Sequence, residues 1–139
     1  VKPCLPHLSY FIPSYEEAVK ISGISDVPAM ARFFLSLGAE KIVIKLGSKG
    51  SYYYDGQEEI SLPCFDVKAV DTTGAGDAFV GGFLYGALNS MKPCECLRWG
   101  NAVAAQCVSA IGASAGLKDI VSMNRWLKTA RLSNRSVHR

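Results

Sequence analysis

Two periodicities of apolar and polar positions divide the chain into short strands and longer helices. Runs rich in β-branched and aromatic residues, bounded by Gly, Pro or Asp, predict strands at residues 8–12, 41–46, 51–54, 59–63 and 67–70. Apolar residues at helical spacing predict helices at residues 14–22, 26–37, 77–88, 93–111 and 123–131. Because strands alternate with helices, the pattern predicts an α/β fold with a mainly parallel sheet covered by helices on both faces.

Local signals mark the ends of the first two helices and one loop. Ser14 with Glu17 three residues later forms a capping box, which by itself accounts for both side chains. Gly23 is a helix terminator and Asp26 is a cap for the second helix. The loop at residues 47–50 leaves the C-terminal end of a predicted strand, which is where ligands bind in open α/β sheets.

The composition indicates a soluble globular protein. A length of 139 residues suits one domain, and 49% hydrophobic with 19% charged residues is ordinary for that class. The net charge of +3 is small and partly lies in the C-terminal tail, so nothing favours a nucleic-acid partner. The most apolar run, residues 78–88, is shorter than the about 20 residues of a membrane-spanning helix. We therefore expect neither a nucleic acid nor a membrane as partner.

The cysteines indicate the cellular compartment, and the charge pattern indicates where the folded portion ends. Five cysteines, an odd number without a Cys-x-x-Cys pair, fit reduced thiols in the cytoplasm. The basic segment at the C-terminus is expected to be solvated. The sequence thus predicts a folded portion at residues 1–132 and a disordered basic tail at residues 133–139.

The candidate chemistry lies in a glycine-punctuated loop that opens directly into a helix. This Gly-Ala-Gly loop, residues 71–77, reads Asp-Thr-Thr-Gly-Ala-Gly-Asp. The first N–H groups of a helix have no carbonyl partners, and glycines remove side-chain bulk and permit unusual backbone angles. The N–H groups near Ala75, Gly76 and Asp77 can therefore converge on an oxyanion such as phosphate.

Asp77 determines which phosphate chemistry is plausible. A carboxylate beside a stored pyrophosphate would repel it, whereas a loop that directs a hydroxyl at phosphorus needs a base. A dinucleotide fingerprint would have glycine where Phe79 stands, and a P-loop would end in Gly-Lys-Ser/Thr. The hypothesis is phosphoryl transfer to an alcohol with Asp77 as base. The alternative is that Gly74 and Gly76 only form a turn and Asp77 only caps or charges the helix.

A longer sequence pattern around the Gly-Ala-Gly loop supports the phosphoryl-transfer hypothesis. Residues 71–79, followed by Gly81-Gly82-Phe83, resemble the C-terminal signature of the PfkB (ribokinase-like) carbohydrate kinases, which phosphorylate a sugar or nucleoside hydroxyl with ATP. The resemblance implies a ribokinase-like, Rossmann-like fold. It also implies that Gly74, Ala75 and Gly76 form the anion hole for the transferring phosphoryl group and that Asp77 is the catalytic base.

The same resemblance assigns residues to the nucleotide and to metals. Glu17 matches an Asn-x-x-Glu pattern that helps to hold the water shell of Mg2+, although Ser14 replaces the Asn. The nucleotide-binding Thr-Leu-Gly-x-x-Gly segment has Lys45 in place of Thr, and its implied contacts are Gly47, Ser48, Lys49 and Gly50. Asn101 lies where members commonly touch the nucleotide, and a backbone contact is its alternative. Some members bind a monovalent cation such as K+ through carbonyls equivalent to those of Asp71, Thr73, Cys107, Ala110, Gly112 and Gly116.

The resemblance covers almost the whole chain but only the C-terminal half of the family's length. The sugar-binding motifs and a small β lid, through which a homodimer would form, belong to the other half. The chain alone is therefore expected to be inactive, and the partner is a sugar or related alcohol. Two other functions stay open, namely a non-catalytic nucleotide-binding or regulatory module and a kinase for a nucleoside or a vitamin alcohol.

Overall fold

The computed structural model describes residues 2–110 and 118–133 of the chain. After a short 3-10 turn at Lys2–His7, its elements are, in chain order, α1 (Tyr15–Ser22), α2 (Val27–Ser36), β1 (Ile42–Lys45), β2 (Ser51–Tyr54), β3 (Glu59–Leu62), α3 (Ala75–Leu88), α4 (Pro93–Val108) and α5 (Ile120–Leu127). Within the described ranges no helix combines the length and hydropathy needed to cross a bilayer.

The sheet separates two apolar cores, as the alternation along its strands requires. Ile42 and Ile44 of β1 face α1 and α2 together with Phe34, and all three side chains are fully buried. Val43 points to the opposite face, where it packs with Phe83 of α3. Helices therefore cover both faces of the sheet, as predicted for the α/β class.

The expectation of a mainly parallel sheet does not hold for the named strands. β1, β2 and β3 form an antiparallel sheet in that order. Parallel pairing is confined to two bridges, Phe11 with Ile42 and Ser14 with Lys45. Hairpin connections of a few residues join these strands, and a connection that short permits only antiparallel neighbours.

The strand predicted at residues 8–12 is reduced to those bridges because of Pro13. Phe11 accepts from Val43 and donates to Lys41, each at 2.9 Å, and Pro13 accepts from Lys45 at 3.0 Å. The next donor toward β1 would be the N–H of residue 13, which proline lacks. The ladder is therefore interrupted at the residue that precedes the α1 capping box.

The prediction of a strand at residues 67–70 is also wrong, because this segment has no regular secondary structure. The N–H groups of Val70 and Asp71 donate to the carbonyl of Val108, at 2.7 and 3.3 Å. Val108 is the last residue of α4, so these bonds satisfy a carbonyl that the helix leaves without a partner. This contact ties the Gly-Ala-Gly loop to the end of α4 instead of to a sheet.

The helix ends follow the local signals. The Ser14–Glu17 capping box is formed, Gly23 adopts φ 74° at the end of α1, and Asp26 accepts from the N–H of Ala29 at 2.9 Å. α3 and α4 pack closely because Gly82 has no side chain: a Cβ there would lie 2.5 Å from the carbonyl oxygen of Trp99. This close packing sets the position of the N-terminus of α3.

Gly50 is the glycine on which the turn after β1 depends. It adopts φ 102° and ψ −132°, and an added Cβ would overlap the carbonyl oxygen of Leu62. We expect Gly50→Ala to lower the free energy of unfolding by about 3 kcal/mol or more, from strain and steric overlap together. Gly47→Ala is the control. Alanine at φ 58° is strained, but nothing lies within 4 Å of the added Cβ, so the variant should lose only about 1–2 kcal/mol of unfolding free energy. Equal urea midpoints for the two variants would contradict this account.

Candidate functional site

A cleft of about 490 Å³ lies at the end of β1, between the N-terminus of α3, one side of α4 and the segment after β3. Six of the residues singled out from the sequence line it: Gly47, Ser48, Gly50, Ala75, Gly76 and Asn101. Lys49 is exposed and is not part of this lining. Apolar side chains, among them Phe65, Phe79 and Val108, complete the walls.

The Gly-Ala-Gly loop turns into α3 through a left-handed glycine. Gly74 is the N-cap with φ 77°, while Gly76 already has helical geometry without a positive φ. The unusual backbone angle predicted for the loop therefore belongs to Gly74 alone. Gly76 serves instead by being small, because the nearest atom to a Cβ built there is Lys45 Nζ at 3.4 Å.

The first turn of α3 leaves two amides of the loop without an acceptor inside the helix. The N–H of Ala75 donates to the carbonyl of Thr72 at 3.2 Å, and that of Ala78 donates to Gly74 at 2.9 Å. The N–H groups of Gly76 and Asp77 lie between these bonds, in the first turn, where a helix has no acceptor for them. The Ala75 amide thus already donates within the loop, and the convergence of the three amides on an oxyanion stays a prediction.

Asp77 occupies the first turn of α3 and is exposed. The helix is capped by Gly74 without a side-chain hydrogen bond, so Asp77 is not its capping residue. The alternative function of this carboxylate thus reduces to its charge near the helix N-terminus, which is worth about 0.3–1 kcal/mol.

Lys45, whose role the sequence left open, lies beside the first turn of α3. It is the last residue of β1 and shares the α3-facing side of the strand with Val43. Its Nζ stands 3.4 Å from the Cβ position of Gly76. Strand alternation was the signal that could have placed this side chain next to α3, but it required knowing which helix covers that face.

Glu17 is held by the capping box. Its Oε2 accepts from the Ser14 N–H at 2.7 Å, and its own N–H donates to Ser14 Oγ at 3.2 Å. Hydrogen bonds with the Ser14 backbone and side chain, with a smaller effect from the charge of Lys45, hold the pKa of Glu17 below its usual value. The carboxylate therefore stays ionised near neutral pH while one of its oxygens is occupied by the cap.

The residues predicted to hold a monovalent cation partly converge. The Asp71 carboxylate accepts from the Thr73 N–H at 2.9 Å, and Cys107 Sγ lies 3.5 Å from the Thr73 carbonyl oxygen. Burial, and then the charge of Asp71, raise the pKa of the Cys107 thiol. Ala110 ends the first described range, and Gly112 and Gly116 lie outside the described residues.

Asn101 is buried and bonded to backbone. Its Nδ2 donates to the carbonyl oxygens of Leu62 at 3.3 Å and Pro63 at 3.1 Å. The backbone contact given as the alternative for Asn101 is therefore present, and it fixes α4 against the end of β3. Contact with a nucleotide stays a prediction for this residue, which also lines the cleft.

Sequence reasoning missed the wall that follows β3. Cys64 Sγ donates to the Ser48 carbonyl at 2.9 Å, and residues 64–69 line the cleft. Ser133, expected to begin the disordered tail, donates its N–H to the Cys64 carbonyl at 2.7 Å. The remainder of that tail, residues 134–139, lies outside the described residues. No motif marks this wall, because its residues are brought together only by the fold.

Comparison with known proteins finds sugar and nucleoside kinases among the relatives of this chain. The family model described as pfkB family carbohydrate kinase matches residues 1–120. An uncharacterized sugar kinase of Archaeoglobus fulgidus is 40% identical over 113 residues, which are 81% of this chain and 45% of that protein. A cytidine kinase of Thermococcus kodakarensis is 43% identical over 90 residues, which are 63% of this chain and 32% of that protein.

A solved structure supports the fold class. Ribokinase of Arabidopsis thaliana, in complex with ribose and ATP, superimposes with a TM-score of 0.86 and 29% identity. The match covers 92% of this chain and 43% of that one. The ribokinase-like α/β fold is thereby confirmed, and the chain spans less than half the length of these relatives.

Proposed function

The chain belongs to the pfkB family of carbohydrate kinases, and we propose from this premise that it forms the nucleotide-binding part of an ATP-dependent kinase. The enzyme would transfer the γ-phosphoryl group to a hydroxyl of a sugar or sugar-like alcohol in the cytoplasm. Residues 1–132 correspond in this proposal to the C-terminal portion of the whole enzyme, and the acceptor-binding half lies in the remainder.

The proposal rests on the first turn of α3, where Ala75 and Gly76 line the cleft and Asp77 is exposed. The N–H groups of Gly76 and Asp77 favour an anion there, and the helix dipole adds to their effect. In the proposal they hold the transferring phosphoryl group as its charge redistributes. The exposed Asp77 carboxylate then takes the proton of the attacking hydroxyl as the oxygen bonds to phosphorus and the bond to ADP breaks.

The rest of the cleft suits a nucleotide. Gly47, Ser48 and Gly50 form one side, and residues of α4 and residues 64–69, several of them apolar, form the other. Such a mixture of a few polar groups with apolar walls is typical of small-molecule sites. Asn101, held by its two backbone bonds, keeps these sides at a fixed separation.

Glu17 fits a role in the water shell of Mg2+. The described residues contain no cluster of three or more His, Cys, Asp or Glu side chains that could enclose a metal. A single ionised carboxylate with one oxygen in a capping box suits a water-mediated contact. When bound, the ion would supply charge neutralisation at the phosphates. For K+, the proposed ligands within the described ranges are the carbonyls of Asp71, Thr73, Cys107 and Ala110.

This proposal predicts that the isolated chain binds ATP weakly but transfers no phosphoryl group to a sugar. Both reactants must be held in line for transfer, and the acceptor half is not part of the chain. Calorimetric titration with MgATP should give a measurable heat, and a coupled ADP assay with ribose should stay at the background rate. Sugar-dependent ADP release by the pure chain would contradict the proposal that acceptor binding requires the remainder of the enzyme.

A nucleoside acceptor is the second candidate, favoured by the identity to a cytidine kinase. Both acceptors present a primary hydroxyl to the same base, so the first turn of α3 does not discriminate between them. Comparing kcat/KM of the full-length enzyme for ribose and for cytidine decides between the two, and a higher value for cytidine would replace the sugar proposal.

A further inference from the structure

We infer that Lys45 is a phosphate-binding residue of the cleft, placed to contact the terminal phosphoryl group of the nucleotide. The inference rests on the proposed function and deepens it at a position where this chain departs from the threonine of the family pattern. Three observations carry it: the location of the ammonium group, the way the backbone holds it, and the charges around it.

The ammonium adjoins the anion-binding turn. Lys45 Nζ is 3.4 Å from the point where a Cβ of Gly76 would be, and the two residues line the same cleft. A phosphoryl oxygen that accepts from the Gly76 or Asp77 N–H groups is therefore within reach of the lysine. A lysine serves as a mobile point charge for phosphate and needs no fixed fork geometry.

The backbone of Lys45 is fixed from both sides. Its N–H donates to the Pro13 carbonyl at 3.0 Å, and in the sheet it is paired with Ser51 of β2. Val43, two residues earlier, is fully buried against α3 and α4, so alternation commits Lys45 to the same side. The lysine thus cannot turn to the other face of the sheet without breaking β1.

The charges around the ammonium favour an incoming anion. Among the residues that the structure describes, Lys45 has no carboxylate within ion-pair distance. The partial positive charge at the N-terminus of α3 faces the same point, so two positive centres converge on it. After the larger effect of the Ser14 hydrogen bonds, the charge of Lys45 lowers the pKa of Glu17, but the Glu17 carboxylate accepts a hydrogen bond from the Ser14 N–H. A bound phosphoryl group would relieve this unbalanced charge.

The experiment measures how the affinity depends on the number of phosphates. Lys45→Met, which keeps the apolar stem, is titrated with the magnesium complexes of ATP and ADP and with AMP. We expect ATP affinity to fall roughly ten- to a hundred-fold, as for a lost charge-assisted bond, with a smaller loss for ADP and none for AMP. Lys45→Arg should recover ATP affinity to within a few-fold because the charge returns.

Lys41→Met is the matched control. It removes the same charge one residue before β1, where the lysine pairs with Glu40 at 3.7 Å, and nucleotide affinity should change less than two-fold. Equal losses for all three nucleotides, or a Lys45→Met effect no larger than that of Lys41→Met, would overturn the inference. Failure of the wild-type chain to bind any of the nucleotides would instead overturn the proposed function, and the inference with it.

Lys45→Thr covers the case in which Met at this position disturbs the fold. Threonine suits a strand and is the residue of the family pattern. Its hydroxyl offers a neutral hydrogen bond, so ATP affinity should lie between those of the wild type and Lys45→Met. A Lys45→Thr chain that melts at the wild-type temperature and binds ATP as tightly as the wild type would show that the charge is dispensable.

Discussion

Asp77→Asn is expected to lower kcat of the full-length kinase by roughly 10²–10⁴-fold, the range for losing a positioned acid–base group. Asparagine keeps the size of the side chain and its place in the first turn of α3 but cannot accept the proton of the attacking hydroxyl. Nucleotide affinity should stay within a few-fold or improve, because a negative charge near the phosphates is removed. Steady-state kinetics with saturating ATP measure the first effect, and calorimetry measures the second.

The control for this variant is Glu95→Gln. Glu95 is the acidic residue in the first turn of α4 and is likewise exposed, so the change removes the same charge from an equivalent helix position. It should leave kcat unchanged and shift stability by less than about 1 kcal/mol. If Asp77→Asn also keeps its turnover and only loses about 1 kcal/mol of stability, the carboxylate stabilises the helix N-terminus and is not the catalytic base.

Gly76→Val is expected to abolish measurable transfer in the full-length enzyme while the fold is retained. The backbone at Gly76 is already helical and valine has a higher helix propensity than glycine, so the substitution costs little conformationally. Its branched side chain would occupy the space between the proposed anion-binding amides and Lys45 Nζ. Loss of comparable oxyanion-hole donors costs roughly 2.7–4 kcal/mol, or 10²–10³-fold in rate, and exclusion of the phosphoryl group adds to it.

Gly81→Val separates crowding at the site from a general effect on the helix. Gly81 lies in the same helix, is exposed, and has nothing within 4 Å of an added Cβ. Both variants should unfold at similar temperatures, whereas only Gly76→Val should lose activity. Near-normal turnover of Gly76→Val would mean that the glycine loop forms a turn without binding the phosphoryl group.

Residue types and their spacing are sufficient to predict those features that depend on neighbouring residues. The Ser14–Glu17 box, the Asp26 cap and the start of a helix directly after Gly74 all involve groups within a few positions of one another. Their hydrogen bonds form whenever the local backbone does, so residue type and spacing are sufficient to predict them. The Gly-Ala-Gly loop could be recognised for the same reason.

Long-range pairing was decided only by the tertiary structure. Pro13 interrupts the parallel ladder because its missing N–H would have met β1, and this is visible only once β1 is known to be its neighbour. Residues 67–70 do not form the predicted strand, because the N–H groups of Val70 and Asp71 donate to the carbonyl of Val108 at the end of α4. Neither outcome can be read from composition or periodicity.

The position of the Lys45 side chain could not be predicted from the sequence pattern. In the sequence it is a charged residue at the end of a strand, 31 positions before Gly76, and it could equally face solvent. The packing of Phe83 against Val43 sets which face of β1 meets α3, and this contact brings the ammonium to the loop. Local rules determine which elements form, whereas the site arises from contacts between distant segments, whose geometry depends on the packing of the whole core.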